Sequence, residues 1–434
     1  MLCNKTKKKR QSKATVPSLN ILLSNGRFPV SIDLARQLKF AGHNVFVVDP
    51  MHYHVCRFSR AVRKSFWAPA PHVDAAGYVD CVRRAVEEAK IDLIIPMHEE
   101  IFHLAELADE AILKRLFSFP FTTLIRLHNK WEFSKFLGKV GLDAPKAWLC
   151  RSMTDVYNLP LGSTELALKP VYGRAATNVH HLYPDKPLPS GITISDTDHY
   201  IAQEWITGER FCSYSVLRGG RVYAFAVYPV VDTIDGASCV YFQSVDHPRI
   251  RAYVERLAAA LPDVSGQLAL DLIETEDRLV AIECNPRATS GIHLWSGKTD
   301  LARAFTESYP AVVKPGARRQ VIPGMLMWSG EGAGPGEYVR HMKRLMGTKD
   351  VLFSKRDILP SLMQPFLLTS YYEICRERKM DIPTMFQWDL VWEPDAEQLR
   401  RVQRLLDAED EDAESRITEK DAGDSGLGSD VIGP

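Results

Sequence analysis

An apolar run that ends in polar residues, AIECNPRATSGIH (residues 281–293), places Glu283, Asn285 and Arg287 at alternate positions. In an extended strand, side chains at that spacing share a face. Just upstream, GQLALDL puts Gln267, Ala269 and Asp271 on one face of another strand. A turn at Glu276 and Asp277 is short enough to make the two strands antiparallel neighbours. Asp271 and Glu283 then sit side by side across the ladder. Two carboxylates and an amide form an oxygen-only site suited to Mg²⁺ or Mn²⁺, which take one or two carboxylates and fill the shell with water and phosphate oxygens. An arginine just beyond suits a phosphoryl group in transfer. The competing reading is a solvent-facing sheet with incidental charges, which accounts for any one of these acids better than for the set.

Two lysines and one extended segment stand earlier in the chain. Lys169 ends the apolar strand ELALK, where a buried ammonium must find a partner, and an ATP phosphate is one candidate. Lys130 lies in the first turn of a helix that follows LHN and, taken alone, reads as a surface lysine. QEWITGERF sets Gln203, Glu204, Trp205 and Ile206 on an extended stretch, where an aromatic and an aliphatic residue can sandwich adenine; alone it is an ordinary strand.

The elements that must position these residues are legible in the hydrophobic periodicity. NILLSN, a turn at Gly26, the helix VSIDLARQLKFAG closed by Gly42, and HNVFVVDP read as a βαβ unit. The helix YVDCVRRAVEEAK, the strand IDLIIPM and a helix over EEIFHLAELADEAI extend it. Such alternation implies a parallel sheet covered on both faces, with ligands at the carboxyl ends of its strands. Gly26 and Arg27 stand at one such end, and His98, Glu99 and Glu100 at another. The Gly26–Arg27 turn reads as a substrate-pocket wall; His98, Glu99 and Glu100 are candidate ligands or bases in the substrate site, the alternative being helix N-terminal carboxylates favoured by the macrodipole. SNGRFPVS lacks GxGxxG, so the turn does not read as a dinucleotide site. After Asn129 the pattern becomes α+β with antiparallel hairpins, one turning at Gly219 and Gly220.

The 434 residues allow two to three domains, and a net charge of +0 gives no electrostatic case for nucleic acid or an anionic membrane. No apolar run approaches the roughly 20 residues of a membrane span. The eight cysteines include no CxxC pair, which fits reduced thiols and a cytoplasmic setting. The basic start MLCNKTKKKRQSK has no signal-peptide core and reads as a solvated tail, a nuclear-localisation or anion-binding patch at Lys7 to Arg10 being the alternative, while residues 396–434 are acidic and read as largely disordered.

The order of these pieces resembles the ATP-grasp superfamily: LHNKWEFSKFLGKVGLDAPK, LALKPVYGRA, AQEWITGERF, and GQLALDL followed by AIECNPR. The resemblance covers about residues 18–310, and the D…ExNPR part is its specific element. It implies a mixed α/β and α+β fold in parts: a basic tail (1–17), a Rossmann-like preATP-grasp domain (18–125), a lid region (126–207), a metal-bearing domain (208–310), a mixed extension (311–395) and the acidic tail (396–434). By position it implies that Lys130 and Lys169 touch ATP phosphates and that Gln203, Glu204, Trp205 and Ile206 form the adenine hinge. It further implies that Asp271, Glu283 and Asn285 hold Mg²⁺, with Gln267 as a further ligand, and that Arg287 serves the transferring phosphoryl group. The family's ribose acid falls at Arg210, leaving Glu209 as the substitute. The loop after Lys169 has one glycine, Gly173, so Arg174 and Thr177 are expected to help bind phosphate.

A narrower resemblance joins SNGRFPVSIDLARQLKFAGHNVFVVDP, CRFSRAV, QEWITGERFCSYSVLRGG, AIECNPRATSGI and KDVLFSKRDILPSLM to mycosporine glycine synthase and its relatives. The implied activity is ATP-dependent C–N ligation. A carboxylate or enolate is activated as a phosphate and then joined to an amine or amino acid. The substrates are small molecules, and a homodimer is left open. Thr289, Ser290 and His293 follow Arg287 and are candidate acceptor contacts, a structural hydrogen bond being the alternative for His293. Two other readings stand beside this one: a catalytically silent nucleotide-binding regulator, and a carboxylase-type ATP-grasp enzyme, for which no MKM-like biotinyl segment is present.

Overall fold

The computed structural model of the chain describes residues 17–162, 164–173, 178–195, 197–234, 238–261, 265–328 and 334–424. The basic residues 7–10, together with Arg174 and Thr177, lie outside the described residues.

The first strands are β1 (Asn20–Leu23), β2 (Asn44–Asp49), β3 (Val62–Trp67) and β4 (Leu93–Ile95), forming a parallel sheet in the order β3-β2-β1-β4. Ile21, Leu22 and Leu23 are wholly buried, as an apolar run covered on both faces requires. The crossover helix Pro29–Phe40 starts with proline in its first turn and ends before Gly42, whose φ of 101° needs glycine. The single helix expected over residues 99–112 is two, Glu100–Leu107 and Glu110–Leu113. The break falls where the Asp109 carboxylate accepts from the Ile112 amide and caps a new turn.

A second sheet, β5 (Ala147–Cys150), β6 (Leu166–Pro170), β7 (His180–Leu182) and β8 (Tyr200–Glu204), is antiparallel in the order β5-β8-β6-β7 and has its own small core around Leu166, Leu168 and Tyr200. The helix Lys130–Lys139, expected with this lid, packs elsewhere: Phe133 and Leu137 join Leu268, Leu270 and Leu257 in the core of the large domain. Asn129 fixes its start, its side-chain oxygen accepting from the amides of Trp131 and Glu132.

The large sheet is built from β9 (Glu209–Arg218) and β10 (Arg221–Pro229), then, past the short strands β11 (Thr233–Ile234), β12 (Ser238–Cys239) and β13 (Tyr241–Gln243), from β14 (Gly266–Glu274), β15 (Leu279–Asn285) and β16 (Ala311–Val312). Its order is β15-β14-β9-β10-β16. Gly219 and Gly220, both at positive φ, make the β9–β10 turn. One face of this sheet, with Tyr214, Val216 and Ala269, shares a core with the N-terminal domain. The other face packs on the helices Phe121–His128, Lys130–Lys139 and Pro248–Ala259.

The C-terminal extension is folded back over the N-terminal domain. Arg36 donates to Asp357 at 2.8 Å and to the carbonyls of Val351 and Leu352. Residues 396–424 are not a disordered tail: Ala396–Asp424 is one helix. Val402 and Leu406, one turn apart, are buried in the large-domain core, and Arg126 and Lys139 pair with Asp410. Among the described residues no helix is long and apolar enough to cross a membrane.

Candidate active site

The central feature is the β14–β15 ladder. Asp271 stands directly opposite Glu283, and Ala269 opposite Asn285. The register then slips, Leu272 facing Ala281, so that Ile282 is an extra residue on β15. Such a bulge leaves a backbone group out of the ladder. The carbonyl of Ile282 accepts from Nζ of Lys169, 3.2 Å away. Lys169 is the penultimate residue of β6, so the bulge is where the second sheet meets the carboxylate hairpin. Lys130 arrives from the helix side. Its Nζ donates to the carbonyl of Gly173 and lies 3.6 Å from Glu283 Oε2.

Four charged groups therefore share a small volume. Burial, and then the Glu283 carboxylate, push Asp271 up to about 6. Burial also raises Glu283, but the charges of Lys130, Lys169, His128 and Arg287 outweigh it and hold that carboxylate below its usual range. Burial, and then the neighbouring Lys130, push Lys169 down to about 8. Among the described residues no three His, Cys, Asp or Glu side chains gather to hold a metal unaided. Two carboxylates and an amide fit a Mg²⁺ ion that completes its shell with phosphate oxygens and water. Arg287 lies beyond Asn285, about seven-eighths buried. Among the described residues its Nε has no acceptor, although its Nη2 lies 3.8 Å from Glu99. Buried donors without acceptors are costly, and an anion would satisfy them.

Other expected residues are placed differently. Gln267 is not with the carboxylates' ligand set. Its Oε1 accepts from Tyr214 and its Nε2 donates to the carbonyl of Pro96, both at 2.7 Å, so its amide joins two domains. Arg27 is wholly buried between Asp49 at 2.7 Å and Asp389 at 3.0 Å, which leaves it no substrate role in this arrangement. Gly26 donates its amide to Asp49, and a Cβ there would lie 2.4 Å from the His54 ring. Glu100 accepts from Ser24 and from the amides of Met97 and His98, bracing its own helix start. His98 stacks on Phe28 with ring centroids 4.9 Å apart. His293 is buried with its Nδ1 2.9 Å from Asp33, which supplies the structural alternative. Ser290 opens the short helix Ser290–Trp295 and is partly exposed.

In the hinge, Gln203 is buried on β8, Glu204 pairs with Arg278 at 2.7 Å, and Trp205 is stacked 3.5 Å from His181. Ile206 follows, partly buried. On β9, Cys212 faces Asp271 and Phe211 points into the opposite core, so alternation puts Arg210 on the carboxylate face and Glu209 on the other. Arg210 acts electrostatically on Asp271.

Sequence reasoning missed two residues. The Cys212 thiol donates to Asp271 at 3.1 Å, and Cys239 beside it, with burial, keeps that thiol protonated. The signal was available, since Cys212 shares β9's inward face with Tyr214. His128, next to Glu283 in charge but 155 positions away in sequence, carried none.

Residues 127–291 match the family model of the ATP-grasp domain. Three solved structures are similar. N5-carboxyaminoimidazole synthetase from Staphylococcus aureus complexed with ADP has a TM-score of 0.54 at 15% identity, covering 68% of this chain and 80% of that one. L-amino acid ligase from Bacillus licheniformis has 0.51 at 16%, covering 69% and 78%. Biotin carboxylase from Campylobacter jejuni has 0.52 at 13%, covering 69% and 72%. No curated protein sequence matched. The chain has the ATP-grasp fold, with a Rossmann-like parallel sheet at its N-terminus.

Proposed function

We propose that the protein is an ATP-dependent, ADP-forming ligase that makes a C–N bond. The observation that carries this is the convergence of Lys130, Lys169, Asp271, Glu283 and Arg287 on one bulged hairpin between lid and large domain. Lys130 and Lys169 would neutralise phosphate charge, and Arg287 would meet the γ-phosphoryl group as it moves. Mg²⁺ held by Asp271, Glu283 and Asn285 would supply further neutralisation. A carboxylate or enolate oxygen attacks the γ-phosphorus, the bond to the β-phosphate oxygen breaks, and an acyl- or enol-phosphate forms while ADP stays bound. The amine nitrogen then attacks the activated carbon, phosphate departs, and the nitrogen loses a proton. No side-chain nucleophile is required; positioning and charge do the work.

The similarity to an L-amino acid ligase favours an amino acid as one substrate. Narrower still is an enolate of a cyclohexenone joined to glycine, on the resemblance to mycosporine glycine synthase. An ADP-release screen of amino acids paired with carboxylates, cyclic enolates or bicarbonate tests all of this. Turnover with enolates alone supports the narrow reading, turnover with carboxylates alone removes it, and turnover with bicarbonate moves the protein to the carboxylase type.

A further inference from the structure

Glu99 carries a buried carboxylate just before the helix Glu100–Leu107 that the nucleotide and metal roles above leave unused. Its Oε1 lies 3.8 Å from Nη2 of Arg287, and its Oε2 accepts from the backbone amide of Trp392 at 3.3 Å. Trp392 belongs to the C-terminal extension, outside the segment that matches the ATP-grasp domain. It is locked in place. Its ring packs on Phe102 and Tyr172 at 5.5 and 5.6 Å, and the strand of chain before it is pinned by Asp389 to Arg27. Tyr172 immediately precedes Gly173, the carbonyl partner of Lys130. One short segment, residues 389–392, thus touches the arginine side of the site through Glu99 and the lysine side through Tyr172.

We infer that Glu99, held by the Trp392 amide, is a positioning residue for Arg287. The inference rests on the ATP-dependent reading above. A guanidinium offers five donors in a fixed fork. In this structure Arg287 makes one long hydrogen bond, 3.5 Å to the carbonyl of Ala288, and its Nε finds no acceptor among the described residues. With Nε left for an anion, a carboxylate 3.8 Å from Nη2 biases where the guanidinium sits. Fixing it before the phosphoryl group moves is what makes such a donor effective in the transition state.

The test compares two ligands on the full-length chain by isothermal titration: Mg·ADP, and Mg·ADP with aluminium fluoride as a mimic of the phosphoryl group in transfer. Glu99→Gln keeps the shape of the side chain and an oxygen for the Trp392 amide, but removes the charge. It is expected to hold ADP affinity within about twofold and to weaken the aluminium fluoride complex about tenfold or more. Arg287→Ala should weaken that complex as well, and the double variant should be no worse than Arg287→Ala alone. Unchanged binding of the mimic by Glu99→Gln, or additive losses in the double variant, overturns the inference. Should Glu99→Gln not fold, Glu99→Asp, which withdraws the carboxylate from Arg287, carries the same expectation and the same refutation. A wild-type protein that binds neither ligand overturns the ATP-dependent reading and this inference with it. Wild-type binding of both, with the variants unchanged, overturns this inference alone.

Discussion

Replacing Asp271 by asparagine should stabilise the nucleotide-free protein while abolishing its response to Mg²⁺ and nucleotide. The folded-state carboxyl titrates near 6, against an ordinary value of 3.8, because it is buried beside Glu283. A folded pKa above the unfolded one means that the folded state holds the proton more tightly. Below pH 3.8 both states are protonated and nothing is lost. As pH rises through 6 the folded state must carry an unfavourable charge, and the cost is fully present at pH 7.5. A shift of about two units at ~1.36 kcal/mol each gives an upper bound of about 3 kcal/mol, with about 1–3 kcal/mol expected after relaxation. Asparagine removes the charge, and its carbonyl oxygen can still accept from the Cys212 thiol. Thermal unfolding in EDTA should therefore show Asp271→Asn melting about 1–3 °C above wild type at pH 7.5, the shift that about 1–3 kcal/mol makes in a chain of this length. The gap should close as pH falls toward 4. Adding Mg·ADP should raise the melting temperature of wild type but not of the variant. A variant less stable than wild type at pH 7.5 without nucleotide would refute the reasoning, because Asp271 would then be a structural anchor.

Three further outcomes follow from the same geometry. Lys169 is pushed down to about 8, so it loses charge as pH rises through that value; ADP affinity of the wild type should fall over that range, and Lys169→Arg should flatten the fall in a titration series. Arg27→Ala leaves Asp49 and Asp389 buried without their cation, and should destabilise by about 3–5 kcal/mol in chemical denaturation. His293→Ala breaks the buried contact with Asp33 and should cost about 1–3 kcal/mol, while nucleotide affinity of the folded fraction stays unchanged; a selective loss of affinity would return His293 to the site.

Periodicity was enough for the parallel sheet, the two hairpins and the face shared by Asp271 and Glu283, because those depend on residues close in sequence. Cys284, between Glu283 and Asn285, is packed in the opposite core, as strand alternation requires. What periodicity missed depends on distant partners. Arg27 looked free because Asp389 lies 362 residues away, and His293 because Asp33 lies 260 away. Gln267 shares the ligand face but is claimed by Tyr214 and Pro96. The acidic composition beyond residue 396 suggested disorder, yet two buried apolar residues and a few cross-domain ion pairs are enough to dock a helix. The bulge at Ile282 is invisible to a strict alternation of two, since it appears only as a slip of register.

The central claim is that the β14–β15 hairpin, with Lys130 and Lys169, binds a metal–nucleotide complex. Titrating a non-hydrolysable ATP analogue, with and without Mg²⁺, into wild type and into the double variant Asp271→Ala/Glu283→Ala tests it most directly. The account predicts binding by wild type that strengthens with Mg²⁺, and loss of that metal-dependent part in the variant. Equal, metal-dependent binding by both proteins would contradict it.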